Sequence, residues 1–299
     1  MPSVDPSAKV HPTAILLGDV RIGPGVDIGP HCMLDATFFG PGTITLGAGV
    51  RLVANVQLAG TVELGENTII YPFACVGFGG QDVKFKPGMA TPGVRVGKNG
   101  ILREHVTIHA ATKPEAPTIV GDNVFMMASS HVGHDARVGN NVVMVNSSMM
   151  GGHSVLEDNV TLGGNVAIHQ FTRVGRMAFL SGLTAVSMDV PPFCVVPERN
   201  RIVGINLVGM RRSGIPREHI TRTREAFRRV FRGTLPKHEM LAMLEPLAAD
   251  CPPVAEMYAF VKSSKRSICP GAARPPRLFT TFLHYQRRGV DVDLAGEED

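Results

Sequence analysis

Histidines and an aspartate recur at nearly regular intervals in the middle of the chain. His131, His134 and Asp135 lie together, His153 follows His134 after 19 residues, and His169 follows after 16 more. A neutral imidazole that an aspartate orients can act as a general base and activate a hydroxyl group. Histidines can instead bind a metal such as zinc, through bonds of about 2.0–2.1 Å. The residue types therefore predict either acid–base catalysis or a metal site.

An aliphatic residue at every sixth position provides the scaffold that would align these histidines. The column begins at Ile22, misses at Gly40, resumes at Leu46 and runs, with two longer interruptions, to Val186. A period of six fits no α-helix and is the signature of a parallel β-helix. Three such units form one triangular coil, and coils stack about 4.8 Å apart. The histidines should therefore lie near one edge of successive coils.

The residues between the column positions are expected to face outward or to form the corners of the prism. A glycine often follows the column residue, as at Gly65, Gly97 and Gly121. Because glycine adopts positive φ without steric cost, we expect these glycines to relieve the turns. An ordinary β-sandwich would instead place its strands at irregular spacings of about 8–12 residues.

The periodicity divides the chain into three parts. Residues 1–192 are predicted to form the β-helix, with loops at 78–93 and 111–118 leaving its corners. Helical spacing of apolar residues then predicts a connector and a small α-helical domain over 193–262. The remainder, 263–299, is rich in Pro, Arg and Gly, and we expect it to be a poorly ordered tail.

Composition and charge narrow the setting of the protein. The 299 residues include no Trp and five Cys without metal-like spacing, which fits a reducing, cytoplasmic compartment. The N-terminal segment lacks the order of a signal peptide, and no uninterrupted apolar stretch approaches ~18 residues. Arg and Lys crowd residues 199–237, which indicates either a solvated helix face or an acidic protein partner. We expect no nucleic acid partner and no membrane span.

A series of motifs in a definite order resembles one enzyme family. Within and after the prism come QDVKF (81–85), VTIHAAT (106–112), HVGHD (131–135), GGH (151–153), AIHQF (167–171), DVPPF (189–193) and GINLVGMRRSG (204–214). Together with the helical C-terminal region they resemble the cytoplasmic UDP-N-acetylglucosamine O-acyltransferases that start lipid A synthesis. The resemblance covers roughly residues 1–262. The related N-acyltransferases carry a further domain before the prism, whereas this prism starts near residue 10.

The resemblance implies a left-handed β-helix that assembles as a homotrimer, with active sites between the subunits. It implies transfer of an R-3-hydroxyacyl group from acyl carrier protein to the 3-hydroxyl group of UDP-N-acetylglucosamine. The catalytic residues that it implies are His134 as general base, Asp135 as its orienting partner, and Gly152, whose N–H would bind the oxyanion. It implies neither a metal nor any cofactor, because the phosphopantetheine of the carrier protein delivers the acyl group.

The resemblance also implies three groups of substrate-binding residues. They are Gln81, Asp82 and Lys84 on the first loop; His109, His131, His153, His169 and Gln170 around the cleft; and Asn206, Arg211 and Arg212 at the start of the helical region. The loop group would reach the nucleotide sugar from a neighbouring subunit. The last group would bind the uridine diphosphate, since a guanidinium fork suits phosphate.

Gly182 lies where the family places the residue that limits acyl-chain length. A glycine leaves the groove between prisms open, so we expect a long hydroxyacyl chain of about fourteen carbons, each buried methylene contributing about 0.8 kcal/mol. Phe179 and Leu180 lie close enough in sequence to narrow that groove.

The residues are compatible with several other activities. An acetyltransferase of the same architecture would use coenzyme A and would not require the QDVKF loop or the helical region. A related enzyme could act on a modified sugar such as a 3-amino derivative. A metal-dependent hydratase of the γ-carbonic anhydrase type would require an open metal site. A purely structural β-helix would leave the aligned histidines and Asp135 without a role.

Overall fold

Three sheets wind into a triangular prism in the computed structural model, which describes residues 1–86 and 88–271. Within these residues the prism is a left-handed parallel β-helix followed by four α-helices. This confirms the parallel β-helix predicted from the six-residue period, the hand implied by the family resemblance and the helical region predicted from the apolar spacing. Of the strand pairs in this part of the chain, only the last one in the second sheet is antiparallel.

The three faces of the prism are called sheets 1, 2 and 3 in the order in which the chain first visits them. The strands of sheet 1 are Ser3–Val4, Asp19–Ile22, Thr43–Leu46, Val62–Leu64, Val94–Val96, Thr118–Val120, Arg137–Val138, Val155–Leu156 and Arg173–Val174. Those of sheet 2 are Lys9–Val10, Asp27–Ile28, Arg51–Leu52, Ile69–Ile70, Ile101–Leu102, Phe125–Met126, Val143–Met144, Thr161–Leu162, Phe179–Leu180, Cys194–Val196 and Gly204–Ile205. Those of sheet 3 are Ile15–Leu17, Met33–Asp35, Gln57–Ala59, Cys75–Val76, Thr107–Ile108, His131–Val132, Met149–Met150, Ala167–Ile168 and Ala185–Val186.

The aliphatic column fills the interior of the prism. Leu46, Leu52, Leu58 and Leu64 are each at most 1% exposed, and the same holds for the residues two positions earlier, such as Val50. Each coil adds a layer of side chains that only neighbouring coils can cover. Burial of this column is therefore what fixes the inward face of every strand.

The glycines that follow the column do not relieve turns, so this part of the sequence interpretation was wrong. A Cβ atom on Gly65 would lie 2.5 Å from the carbonyl carbon of Gly97, and one on Gly97 would lie 2.7 Å from that of Gly121. None of these three has a positive φ. They are glycines because the backbones of stacked coils approach too closely for any side chain.

Positive φ occurs instead three residues after the column, where the chain turns a corner. Asparagine takes this position repeatedly, as at Asn99, Asn123 and Asn141, with φ of 55–56°. Asparagine tolerates the left-handed region better than most residues. Its side-chain amide also donates to the next coil, from Asn99 to Asn123 at 3.1 Å and from Asn123 to Asn141 at 3.2 Å.

The helical region packs on the last coils of the prism. Its helices are α1 (Leu207–Arg212), α2 (Arg217–Val230), α3 (Lys237–Ala248) and α4 (Pro252–Ser263). Arg176 makes a bidentate ion pair with Glu256 of α4, and Arg173 donates to the carbonyl oxygen of Phe260. Among the described residues, no helix has the length and apolar character needed to cross a membrane.

The segment after α4 still contacts the prism. Ile268 forms a β-bridge with Asp189, and Gly271 forms one with Ile202. Ile268 and Cys269 are buried. The packed part of the chain therefore extends beyond 263, where a poorly ordered tail was expected to begin, and the rest of that tail, 272–299, lies outside the described residues.

Candidate active site

The corner between sheets 3 and 1 carries both interruptions of the repeat and the histidine cluster. Residues 77–93 link sheet 3 to sheet 1 in one coil, and residues 109–117 do so in the next. In the coil after that, the link is short and contains His134 and Asp135. Two loops therefore leave the prism directly beside the two residues that the sequence predicts to be catalytic.

His134 and Asp135 form a hydrogen-bonded pair. The Nδ1 atom of His134 lies 2.6 Å from Oδ2 of Asp135, and the two side chains are only 12% and 6% exposed. An ionised carboxylate can only accept, so Nδ1 carries the hydrogen and Nε2 of the neutral ring is left as an acceptor. This is the tautomer that a general base requires.

The carboxylate of Asp135 is held by the start of the 109–117 loop. The N–H of Thr112 donates to both carboxylate oxygens at 3.1 Å, its hydroxyl donates at 2.7 Å, and the N–H of Lys113 donates at 3.0 Å. Burial alone would raise the pKa of Asp135, but the hydrogen bonds from His134, Thr112 and Lys113 outweigh it, and the pKa lies below its usual value. Asp135 is therefore an oriented anion at neutral pH.

Glycine backbone encloses the imidazole of His134. A Cβ atom on Gly152 would lie 2.5 Å from Nε2 of His134, and one on Gly80 would lie 2.7 Å from its Cβ. Gly80 also faces Thr112, at 2.7 Å from Cγ2. The ring thus has backbone on two sides, and a methyl group at Gly152 would occupy the space in front of the reactive nitrogen.

His153 lies over the pair from the next coil. Its ring makes an edge contact with His134 at 5.1 Å between centroids and stacks on Phe171 at 4.6 Å. Its Nε2 atom is 3.7 Å from Oδ2 of Asp135. Burial, followed by the charges that His134 and Lys113 can carry, lowers the pKa of His153 despite the attraction of Asp135. His153 is therefore neutral at physiological pH.

His109 and His131 form a second pair beside the first. Their rings make an edge contact at 4.9 Å, and Nδ1 of His131 bonds to the hydroxyl of Thr107 at 2.7 Å. Burial, with smaller contributions from His131 and His134, lowers the pKa of His109 to about 4, and burial also lowers the pKa of His131. Nδ1 of His109 is buried with no hydrogen-bond partner among the described residues.

The other predicted contacts lie farther from the pair. His169 and Gln170 are exposed one coil beyond His153, and Nδ1 of His169 donates to the carbonyl oxygen of Gln170 at 3.0 Å. On the first loop, Gln81 and Lys84 are exposed, and the Asp82 carboxylate accepts from the Lys84 N–H at 2.9 Å. The negative charge of Asp82 acts on His153, so this loop approaches the cluster.

Asn206, Arg211 and Arg212 belong to the helical region. The Asn206 side chain caps α1, accepting from the N–H of Gly209 at 2.9 Å and donating to the Met177 carbonyl at 3.0 Å. Arg211 lines a cavity of about 480 Å³ between α1 and α2. Both polar ends of Asn206 therefore already serve the fold.

Gly182 lies at a different corner, between sheets 2 and 3. It is exposed, and a Cβ atom there would find its nearest atom, the Gly164 carbonyl oxygen, at 3.3 Å. A side chain at this position would start in close contact with the Gly164 backbone and extend outward from the exposed corner. The corner also carries Leu183, which is 84% exposed.

The residues that sequence reasoning missed are Thr112, Gly80 and Phe171. Thr112 binds Asp135, Gly80 faces His134, and Phe171 stacks on His153. Phe171 follows His153 by one full coil of the repeat, so the coil period could have identified it. Thr112 ends the motif VTIHAAT, but no local pattern could have placed it, or Gly80, beside the pair, because each reaches the pair from a loop of irregular length.

One group of described residues has the geometry for a metal ion. The ligand atoms of His134, Asp135 and His153 lie within 4.8 Å of one another. However, Oδ2 of Asp135 already accepts from His134 and Thr112. An ion would have to displace these donors, so the arrangement favours an oriented base over a metal site.

A prism of hexapeptide coils with a His–Asp pair at one corner and a helical C-terminal region defines a hexapeptide-repeat acyltransferase. A family model described as "Udp N-acetylglucosamine O-acyltransferase; Domain 2" matches residues 189–269. The chain is 41% identical over 263 residues to the acyl-(acyl-carrier-protein)–UDP-N-acetylglucosamine O-acyltransferase of Rhizobium johnstonii, covering 87% of this chain and 94% of the relative. It therefore belongs to the family of these O-acyltransferases.

Other relatives and solved structures agree. The enzyme of the same name from an Anaeromyxobacter species is 43% identical over 213 residues, 71% of this chain and 82% of the relative. The crystal structure of a UDP-N-acetylglucosamine acyltransferase from Bacteroides fragilis superposes with a TM-score of 0.72 at 31% identity, covering 89% of this chain and 99% of the other. The crystal structure of the Arabidopsis UDP-N-acetylglucosamine acyltransferase superposes with a TM-score of 0.69 at 32% identity, covering 89% of this chain and 100% of the other.

Proposed function

We propose that the protein transfers an R-3-hydroxyacyl group from acyl carrier protein to the 3-hydroxyl group of UDP-N-acetylglucosamine, the first step of lipid A biosynthesis. The observation that carries the proposal is the His134–Asp135 pair, with Gly152 in front of Nε2, in a chain of this family. The names of the relatives supply the two substrates.

His134 is the general base of the proposed reaction. Nε2 accepts the proton of the sugar hydroxyl as its oxygen attacks the thioester carbonyl, and the imidazolium then protonates the departing thiolate. Asp135 holds the ring through Nδ1 and stabilises the imidazolium, which is the only histidine charge the site must carry. General-base catalysis of this kind contributes about 10²–10⁴-fold in rate.

Gly152 is the proposed oxyanion donor. Its N–H makes no hydrogen bond within the described part of the chain, and its Cα faces the reactive nitrogen of His134. A donor placed before the reaction stabilises the tetrahedral oxyanion without reorganisation, which is worth about 10²–10³-fold. Since the acyl group passes directly to the sugar, no enzyme nucleophile takes part.

The reaction as proposed uses no metal and no cofactor of its own. The chemistry needs a base and an oxyanion donor, and the acyl group comes on the phosphopantetheine of the carrier protein. If activity were lost on treatment with a chelator and restored by zinc, the group His134, Asp135 and His153 would instead be a metal site. That result would favour a metal-dependent hydratase over an acyltransferase.

The remaining histidines and the first loop are proposed to bind the substrates. His109, His131 and His153 line the cleft as neutral rings, which can donate and accept without competing with His134 for a proton. His169 and Gln170, and Gln81, Asp82 and Lys84 on the first loop, are exposed enough to meet a ligand. Arg211 and Arg212 are proposed to bind the uridine diphosphate, with Asn206 placing their helix.

A homotrimer is proposed because the site lies open along one edge of a single prism. Phe171, beside His153, is 53% exposed, and Leu183, beside Gly182, is 84% exposed. Gly182 and His134 lie on different corners, so a neighbouring prism is needed to close a groove between them.

Carrier-protein docking is assigned to the basic helix α2, which carries Arg217, Arg222 and Arg228 among others. This helix is proposed to dock the acidic carrier protein in the cytoplasm.

The decisive experiment is an assay with UDP-N-acetylglucosamine and carrier proteins that bear hydroxyacyl chains of different lengths. Acyl transfer to the 3-oxygen, identified by mass spectrometry and NMR of the product, is the expected result. Transfer only to a 3-amino sugar nucleotide, or only from acetyl-coenzyme A, would replace the substrate assignment. The His134→Ala variant serves as the control for uncatalysed transfer.

A further inference from the structure

A short aromatic segment packs against the first loop and has no part in the chemistry described so far. It comprises residues 36–42, between strands Met33–Asp35 and Thr43–Leu46, and is called the aromatic excursion. Ser3 pairs with Arg21, whereas Val20 pairs with Ile44, so the second of these coils is longer than the first. The difference equals one hexapeptide unit, which explains the missing column position at Gly40.

The excursion places two phenylalanine rings against the first loop. The ring of Phe38 makes edge contacts with Phe39 at 4.8 Å and with Phe78 at 5.1 Å between centroids. Phe39 in turn makes an edge contact with Phe85 at 6.3 Å. Phe78 and Phe85 bracket the part of the loop that carries Gln81, Asp82 and Lys84. The two rings of the excursion thus contact both ends of the 78–85 part of the loop.

Glycines of the neighbouring coil and the loop fit around these rings. A Cβ atom on Gly60 would lie 2.9 Å from Cδ2 of Phe39, and one on Gly79 would lie 3.1 Å from Cε1 of Phe85 and 3.4 Å from Cζ of Phe39. Gly80 follows directly and faces His134. The contacts therefore run without a gap from the excursion, through the loop, to the proposed general base.

We propose that the aromatic excursion is a positioning element of the active site, in which Phe39 acts on the first loop through Phe85. It holds Gly79 in place, and through it Gly80 against His134, and it sets the position of the substrate-binding side chains that lie between Phe78 and Phe85. The inference rests on the proposed function only for its expected effect on the KM for UDP-N-acetylglucosamine. A loop that is ordered before substrate arrives has less conformational freedom to lose on binding.

The test is a double-mutant cycle with Phe39→Ala, Phe85→Ala and the two combined. Each single variant should raise the KM for UDP-N-acetylglucosamine about tenfold, the size that one or two aromatic pairs can contribute. Because the two rings act through each other, the combined variant should be no worse than either single one. Phe73→Ala is the matched control, since Phe73 is exposed, stacks on His105 and lies at another corner.

A second measurement, the rate of tryptic cleavage, tests whether the first loop is ordered and does not depend on catalysis. Trypsin should cut the Lys84–Phe85 bond faster in Phe39→Ala than in the wild type, at an unchanged melting temperature, and Phe39→Leu should give an intermediate rate. Effects of Phe39 and Phe85 that multiply, or wild-type KM and cleavage in Phe39→Ala, would overturn the proposal. If the melting temperature fell in both Phe39→Leu and Phe39→Ala as cleavage became faster, Phe39 would be needed for the stability of the prism and not for the position of the loop, which would also overturn the proposal. If the wild type transfers no acyl group, the proposed function fails, whereas the cleavage series still decides the role of the excursion.

Discussion

His153 lies one coil beyond Asp135 in the same left-handed corner position, with φ of 59° at both residues and 3.7 Å between Nε2 and Oδ2. Phe171 repeats the position on the following coil, with φ of 63°. Side chains in this position need a conformation that few residues adopt at low cost. The corner thus stacks an anion, a neutral imidazole and an aromatic ring, and the charge of Asp135 is directed to His134.

Replacement of the base is the first prediction. His134→Ala should lower kcat by about 10²–10⁴-fold because Nε2 is lost as proton acceptor. The side chain lies outside the aliphatic column, so circular dichroism and the melting temperature should stay close to wild type. Asp135→Ala should lower kcat by less, because Asp135 orients the base without accepting the proton. Near-normal turnover in purified His134→Ala would remove His134 from the proposed role.

Gly152 gives a sharper test of the site geometry. In Gly152→Ala the new methyl group would lie 2.5 Å from Nε2 of His134 and obstruct the base, so we expect a loss of kcat of about 10²-fold or more, as for loss of general-base catalysis. Gly100→Ala is the matched control, because its Cβ would meet its nearest atom at 3.4 Å, an ordinary contact. Equal activities of the two variants would show that the space before Nε2 is not used.

Stability should fall in mildly acidic solution because of the buried histidines. The pKa of His109 is lowered to about 4 in the fold, against about 6.5 in the unfolded chain. The unfolded state therefore takes up a proton as pH falls through about 6.5, whereas the folded state does so only near 4. His109→Gln should flatten the decline of melting temperature between these values, while His238→Gln, at an exposed position, should not. If melting temperature fell with pH in parallel for the wild type, His109→Gln and His238→Gln, burial of His109 would not be the cause of the decline.

Acyl-chain length should respond to Gly182. The wild type should prefer a hydroxyacyl chain of about fourteen carbons, since each methylene that the groove buries contributes about 0.8 kcal/mol. Gly182→Met would extend a side chain outward from this exposed corner and should shift the preference to shorter chains without abolishing turnover. Competition between carrier proteins with ten- and fourteen-carbon chains measures this. A wild type that already prefers ten carbons, with no change in Gly182→Met, would place the limit elsewhere.

The oligomeric state can be measured directly. Light scattering at micromolar concentration should give three times the chain mass of 32.0 kDa. Replacement of the exposed Leu183 by Asp should weaken the assembly and lower activity together, since a charge would replace apolar surface between prisms. A stable monomer with full activity would contradict the shared-site proposal.

The sequence alone determined the prism. The aliphatic residue at every sixth position specifies the inward face of each strand, and only stacked coils can bury all of these side chains. The same period placed His153 over Asp135 and so beside His134, because a fixed coil length converts spacing along the chain into neighbourhood in space. The ordered motifs then indicated the family, and the two interruptions of the repeat marked where loops leave the corner.

Tertiary structure decided what the period does not control. The donors to Asp135 come from Thr112 and Lys113, and Gly80 reaches His134 from a loop whose length follows no repeat. The glycines after the column were misread for the same reason. In the sequence, a glycine required by close approach of two coils looks the same as a glycine required by a turn. Local patterns encode the periodic scaffold, whereas contacts between irregular loops and that scaffold depend on the path of the whole chain.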